Sequence, residues 1–135
     1  MIWITFVASQ REKSLTRLEE MFKNLDTGMT RDRYFEMQEQ MGHEPEEDMI
    51  PPDMEDLPEL CHKALDIFNR LGDRVYPEIG YMGKDYTKLR LYMNIHGIEE
   101  QEEDFLLEII EWLDSRAIKQ SAAQLKREYA KLKRK

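Results

Sequence analysis

The sequence predicts an all-α fold: a small single-domain helical bundle of about five helices that ends in a long basic helix. Apolar side chains recur at intervals of three and four residues along most of the chain, which is the period of one helix face. Five prolines and six glycines interrupt this pattern at few points. A chain of 135 residues with 41% hydrophobic side chains is large enough to bury one core.

The first two helices are predicted from their end signals. Residues 9–12, Ser-Gln-Arg-Glu, fit a capping box, and a first helix is expected near 10–26. Thr30 is suited to cap a second helix, which Gly42 would end. Residues 1–8 are apolar and have strand propensity, but the chain offers hardly any strand to pair with them. They are interpreted as an N-terminal extension of the first helix, with a peptide inserted into a neighbouring subunit as the alternative.

In the middle of the chain, predicted helices alternate with segments whose prolines and glycines interrupt helical structure. Residues 43–56 contain three prolines and are predicted to form an acidic, semi-extended linker. A third helix should run from Pro58 to Gly72. Residues 73–83 are rich in aromatics and glycine and are expected to form a loop. A short fourth helix, capped by Asp85, should follow.

The last helix is predicted to begin near residue 100 and to carry two apolar stripes. The stripe slips by one position at Ala117 and Ile118, so the part up to Leu113 is expected to pack into the domain. The second stripe is a separate seam, predicted to dock on a partner, and consists of Ile118, Ala122, Leu125, Tyr129 and Leu132. The alternative is that this seam folds back on the first helix.

Charge is distributed in blocks along the chain, whose formal net charge is -8. Residues 36–59 hold ten acidic side chains and no lysine or arginine. Residues 99–114 hold eight more acids, again without a base. Residues 116–135 reverse the sign, with eight bases against one acid. The bases at the end of this arm could neutralise nucleic-acid phosphates, and they are Lys126, Arg127, Lys131, Lys133, Arg134 and Lys135. Pairing of the arm with an acidic segment, its own or that of a second copy, is an equally economical interpretation.

No motif in the sequence predicts chemistry. Residues 80–85, Gly-Tyr-Met-Gly-Lys-Asp, lack the first glycine and the Ser/Thr of a phosphate-binding loop. The same glycines fit the clamp of a KH module less well than a tight turn, because the strands of that module are not predicted. The three histidines have no zinc-ligand spacing, and Cys61 lies on an apolar stripe as a core residue. We expect no enzyme activity, no cofactor and no metal site.

Three segments of the sequence are distinctive: Met29-Thr-Arg-Asp-Arg-Tyr-Phe-Glu-Met-Gln-Glu-Gln-Met-Gly42, then Ile67-Phe-Asn-Arg-Leu-Gly-Asp-Arg74, then Tyr81-Met-Gly-Lys-Asp-Tyr-Thr-Lys-Leu89. They resemble the small acidic helical proteins that tailed bacteriophages encode as accessory or assembly factors. The resemblance covers residues 29–135. It implies a role in virion assembly or in binding a phage or host machine, and it assigns no site residue.

These observations predict a non-enzymatic protein that acts through protein–protein contacts, structural or chaperone-like, with other phage or host proteins or with itself. The alternative is a nucleic-acid-associated factor that uses the basic arm. The predicted organisation is an N-terminal segment and first helix (1–28), an acidic body (29–115) and a basic helical arm (116–135) of the same domain. The polar composition and the absence of a signal-like start favour the host cytoplasm, with incorporation into the virion as an option, and no membrane partner.

Overall fold

A computed structural model describes the backbone of residues 2–133 and the side chains of residues 12–133. In this part of the chain it has five α-helices and a two-stranded antiparallel sheet. The all-α prediction is therefore wrong, because most of residues 73–83 form a β-hairpin and not a loop. The elements in order are α1 (Ile2–Thr27), α2 (Arg31–Met41), α3 (Glu59–Arg70), β1 (Gly72–Tyr76), β2 (Gly80–Asp85), α4 (Leu89–Ile95) and α5 (Glu103–Lys133).

The chain divides into two compact units, residues 1–62 and residues 63–135. Among the described side chains, the buried apolar residues of the first unit are Leu18, Met21, Leu57 and Cys61. Those of the second unit are Ala64, Ile67, Leu71, Met93, Leu106, Ile109, Ile110 and Leu113. Each set follows the three- and four-residue spacing from which the helices were predicted. The predicted divisions after residues 28 and 115 stay predictions.

Helix α1 starts earlier than its end signal indicated. The helix already includes residues 2–8, which confirms the interpretation of this stretch as a helical extension, while Met1 lies outside the described residues. The capping box predicted at Ser9 is wrong, because Ser9 lies inside the helix. Helix α2 is confirmed with both of its caps: the Thr30 side chain accepts a hydrogen bond from the N–H of Arg33, and Gly42 adopts the left-handed conformation with φ 72°.

The acidic segment between α2 and α3 is extended apart from two single turns of 3-10 helix, at Glu47–Met49 and Met54–Asp56. Arg31 fixes its second half. The Arg31 guanidinium donates to the carbonyl of Pro51 at 3.1 Å and forms an ion pair with Asp56. The backbone hydrogen bond from Asp53, with help from Arg31, holds the pKa of Asp56 below its usual value. The prediction that residues 43–56 cannot continue a helix is confirmed.

The hairpin carries a β-bulge in β2. Gly72 pairs with Asp85 and Asp73 with Lys84, but Val75 pairs with Tyr81, so two residues of β2 lie opposite one residue of β1. These two residues are Met82 and Gly83, which lie opposite Arg74, and Gly83 has φ 113°. All five residues of β1 are exposed, whereas Gly83 and Lys84 of β2 are buried. Strand β2 is therefore the side of the hairpin that packs on the unit, and it packs on α5.

Helices α4 and α5 agree with their predicted positions, with one correction. Asp85 does not cap α4, which begins at Leu89; its carboxylate accepts from the N–H of Thr87 at 2.9 Å in the turn before the helix. The first half of α5 buries residues up to Asp114, as expected for the stripe that ends at Leu113. Beyond Asp114, no described residue of α5 is fully buried.

Candidate functional site

Asp114 of α5 anchors the hairpin to the helix. It is 94% buried, since its relative exposure is only 6%. Its carboxylate accepts hydrogen bonds from the hydroxyls of Tyr81 (2.5 Å) and Tyr86 (2.6 Å) and from the backbone N–H of Lys84 (3.1 Å). Burial alone would raise the pKa of Asp114, but these hydrogen bonds favour the ionised form, and the pKa lies below its usual value.

The two tyrosines of this anchor are held as proton donors. Burial raises the pKa of both the Tyr81 and Tyr86 hydroxyls, and the negative charge of Asp114 raises it further. Both oxygens of the Asp114 carboxylate are occupied by donors. A general base needs a free lone pair directed at a substrate proton. The cluster is therefore suited to a structural role: the ionised Asp114 carboxylate and the protonated tyrosine hydroxyls form hydrogen bonds that hold the hairpin on α5.

Gly83 explains why the strand approaches the helix so closely. A Cβ atom at this position would lie 3.2 Å from Oδ2 of Asp114 and 3.5 Å from Cδ1 of Ile118. Its φ of 113° is also a conformation that glycine adopts far more readily than other residues. The glycine was interpreted from the sequence as part of a tight turn. In the structure Gly83 is one of the two residues that form the bulge, and the turn of the hairpin consists of residues 77–79.

The ammonium group of Lys84 lies beside a polar cavity of about 330 Å³. It donates to Oδ1 of Asp73 at 2.6 Å and to the carbonyl of Leu71 at 3.2 Å, and it lies 4.5 Å from the centre of the Phe68 ring. Its side chain is 9% exposed. The cation is thus neutralised by Asp73 and hydrogen-bonded within the fold, which is how a buried lysine is normally stabilised.

A second depression, here called the α5 groove, lies between the hairpin turn and the C-terminal half of α5. It encloses about 430 Å³. Its apolar lining consists of Ile79, Ala122, Leu125, Tyr129 and Ala130. Lys126 and Lys133 also line it. Tyr129 fixes one end of the groove, because its hydroxyl donates to the carbonyl of Glu78 at 3.2 Å.

The predicted seam is split by this arrangement. Ala122, Leu125 and Tyr129 line the α5 groove. Ile118 lies next to Gly83, at the contact between helix and hairpin. Leu132 is 66% exposed and does not line the groove. The hairpin, which the sequence analysis did not predict, covers one part of the seam and supplies the opposite wall of the groove through Ile79.

The predicted phosphate-binding residues lie on two faces of α5. Lys126 and Lys133 are seven residues apart and share the groove face. Arg127 and Lys131 are four residues apart. Because successive residues of an α-helix are rotated by 100° about its axis, these two lie together on a different face. All four are exposed. Arg134 and Lys135 lie outside the described residues. The basic side chains therefore do not form one continuous stripe in the part of the arm that is described.

The acidic segment of the first unit presents exposed methionines together with its carboxylates. Met41 is 55% exposed and Met49 is 62% exposed. Between them lie Glu44, Glu46 and Glu47, which are exposed and form no ion pair with another residue of the described chain. This surface, residues 36–59, is here called the acidic methionine segment. It combines negative charge with flexible apolar side chains, which suit irregular binding surfaces.

The other candidates from the sequence give no site in the described residues. Cys61 is fully buried, and burial raises the pKa of its thiol, as fits a core residue. No three His, Cys, Asp or Glu side chains within residues 12–133 are arranged to hold a metal ion. None of the described helices combines the length and the apolar character needed to cross a bilayer.

Comparisons of the chain with protein-family models, with characterised proteins and with solved structures give no match. The function of this protein is therefore inferred from the geometry of its own residues. The sequence analysis did not identify Asp114 as the residue that anchors the hairpin, although the sequence contains one signal for it. Asp114 lies four residues after Ile110 on the buried stripe of α5, and an acid on a buried stripe requires hydrogen-bond donors from another element.

Proposed function

We propose that this protein is a non-enzymatic assembly or accessory factor whose α5 groove binds an apolar, acidic segment of a protein partner. The observation that carries the proposal is the composition of the groove: five apolar or aromatic side chains together with two lysines. An apolar depression with a few charged groups at defined positions is typical of sites that take an amphipathic helix or an extended peptide.

The charge of the two lysines defines the partner. Within the described residues neither Lys126 nor Lys133 forms an ion pair, so both ammonium groups are available to carboxylates of a bound chain. Apolar contacts would supply most of the affinity, because exposed ion pairs contribute little. The lysines would mainly select an acidic partner and orient it.

The geometry of the hairpin anchor supports a binding role over a catalytic one. The buried carboxylate of Asp114 accepts hydrogen bonds from three donors on both of its oxygens, and the two tyrosines are held protonated. The resemblance of residues 29–135 to phage accessory proteins adds virion assembly in the host cytoplasm as the setting of this proposal. A docking module with an apolar groove is suited to such a role.

The test is a titration of the full chain with a synthetic amphipathic helix that has leucines on one face and glutamates beside them. We expect saturable binding by fluorescence anisotropy, and Leu125→Asp should weaken it at least tenfold because a charge would enter the apolar lining. Leu91→Asp is the matched control: Leu91 is an exposed leucine of α4 outside the groove. Circular dichroism should show that both variants stay folded. Equal binding by wild type and Leu125→Asp would contradict the proposal.

The nucleic-acid alternative is measured with the same proteins and a labelled DNA duplex. Point variants are preferable to truncation after Ser115, since Ile118, Ser121 and Tyr129 contact the hairpin and their removal would expose it. Arg127→Glu combined with Lys131→Glu leaves the groove intact. Steeply salt-dependent DNA binding that this pair abolishes, without any peptide binding, would favour the basic arm as a phosphate-binding element.

A further inference from the structure

We propose that the partner segment which fits the α5 groove is the acidic methionine segment of a second copy of this chain. The inference depends on the proposed function, because it names the occupant of the same groove. Each copy carries one groove and one acidic segment, so copies would associate head to tail.

The two surfaces match in charge and in apolar character. The groove offers apolar side chains and two lysines without ion pairs. Lys126 and Lys133 are seven residues apart, which is about 10 Å along the helix axis. The acidic methionine segment offers exposed Met41 and Met49 on either side of three exposed glutamates. Methionine is flexible and polarisable, so it adapts to an irregular apolar groove.

The acidic methionine segment has few cationic side chains near it to neutralise its carboxylates. Residues 36–59 contain ten acids and no lysine or arginine. Asp56 is paired with Arg31, whereas Glu44, Glu46 and Glu47 have no cationic partner in the described part of the chain. A binding surface on a second copy that supplies lysines would relieve this local excess of negative charge.

A head-to-tail contact uses two different surfaces, so any assembly that does not close into a ring leaves one groove and one acidic methionine segment free at its ends. Further copies can therefore add. The net charge of -8 opposes association between identical chains. The contact is expected to be weak and to appear only at high protein concentration, which suits a protein that is gathered at an assembly site.

The experiment measures mass by sedimentation equilibrium over a dilution series of the full chain. The average molecular mass of wild type should increase with concentration and reach at least twice the monomer mass of 16.3 kDa. A groove variant, Lys126→Glu with Lys133→Glu, should remain monomeric. A segment variant, Glu44→Lys with Glu46→Lys and Glu47→Lys, should also remain monomeric. An equimolar mixture of the two variants should associate again, because each reversed surface now meets an opposite charge on the other copy.

The control for net charge is Arg127→Glu with Lys131→Glu, which changes charge by the same amount on the same helix but outside the groove. It should associate as wild type does. The inference is overturned if wild type is monomeric at every concentration, if this control loses association as the groove variant does, or if the mixture stays monomeric. A monomeric wild type that still binds the synthetic peptide through Leu125 overturns self-docking alone and leaves the proposed function intact.

Discussion

Removing the carboxylate of Asp114 should destabilise the second unit more than any other single truncation of its hairpin contacts. Asp114→Ala leaves the buried N–H of Lys84 without an acceptor, which costs about 1–3 kcal/mol. It also removes the acceptor of Tyr81 and Tyr86, but these side chains are half-buried and water can replace part of each bond, so each loses about 0.5–1.5 kcal/mol. We expect the free energy of unfolding to fall by about 2–6 kcal/mol in total.

Urea denaturation followed by tryptophan fluorescence measures this change. The chain has two tryptophans, Trp3 and Trp112, so a Trp3→Phe background leaves only Trp112, two residues before Asp114, as the reporter. Tyr86→Phe should cost about 1 kcal/mol in wild type and much less in Asp114→Ala, because the two groups share one hydrogen bond. A loss below about 0.5 kcal/mol for Asp114→Ala, the range of ordinary surface substitutions, would refute the anchoring role.

The same anchor predicts an acid dependence with a defined sign. The pKa of Asp114 is lowered from 3.8 in the folded chain, so folding favours the ionised carboxylate. Its stabilisation is complete above the unfolded value and is lost as pH falls through the folded value. Wild type should therefore lose more stability than Asp114→Asn when pH is lowered below 3.8. Parallel loss in the two proteins would show that other groups control acid unfolding.

Three further outcomes are expected. Gly83→Ala should destabilise by about 1–3 kcal/mol because of its positive φ and the contact with the anchor, whereas Gly72→Ala, which meets open space, should not; equal midpoints in urea would contradict this. In a spectrophotometric titration, two of the six tyrosines should ionise late, and the late phase should vanish in Tyr81→Phe combined with Tyr86→Phe. Cys61 should react with a thiol reagent only as fast as the chain unfolds, so rapid labelling of the native protein would contradict its burial.

The sequence predicts the helices of this protein because each is marked by local chemistry. Thr30 and Gly42 define α2 through their own caps, and the spacing of Cys61, Ala64 and Leu71 indicates the buried face of α3. These signals involve neighbours along the chain, so no knowledge of the tertiary structure is needed.

The hairpin has no comparable local signal. All of β1 is exposed, and β2 contains two glycines, so neither strand shows the alternation of apolar and polar residues that marks a half-buried strand. The strands are stabilised by contacts with Asp114, about thirty positions along the chain. For the same reason, the sequence could not show which residues of the predicted seam the hairpin contacts. Ile118 and Tyr129 contact the hairpin, and helical periodicity gives no signal for that contact.

The bulged hairpin has a consequence for how other chains can approach the protein. The outer edge of β1 offers unpaired backbone groups, and such an edge invites an extra strand from another molecule. Here the edge is only five residues long, it carries the charges of Asp73 and Arg74, and the bulge of β2 lies opposite Arg74. Arg74 also donates to the carbonyl of Met82 at 2.9 Å, which holds the irregularity in place. Strand addition is thereby discouraged at the β1 edge of the sheet, so this edge is protected from pairing with other chains.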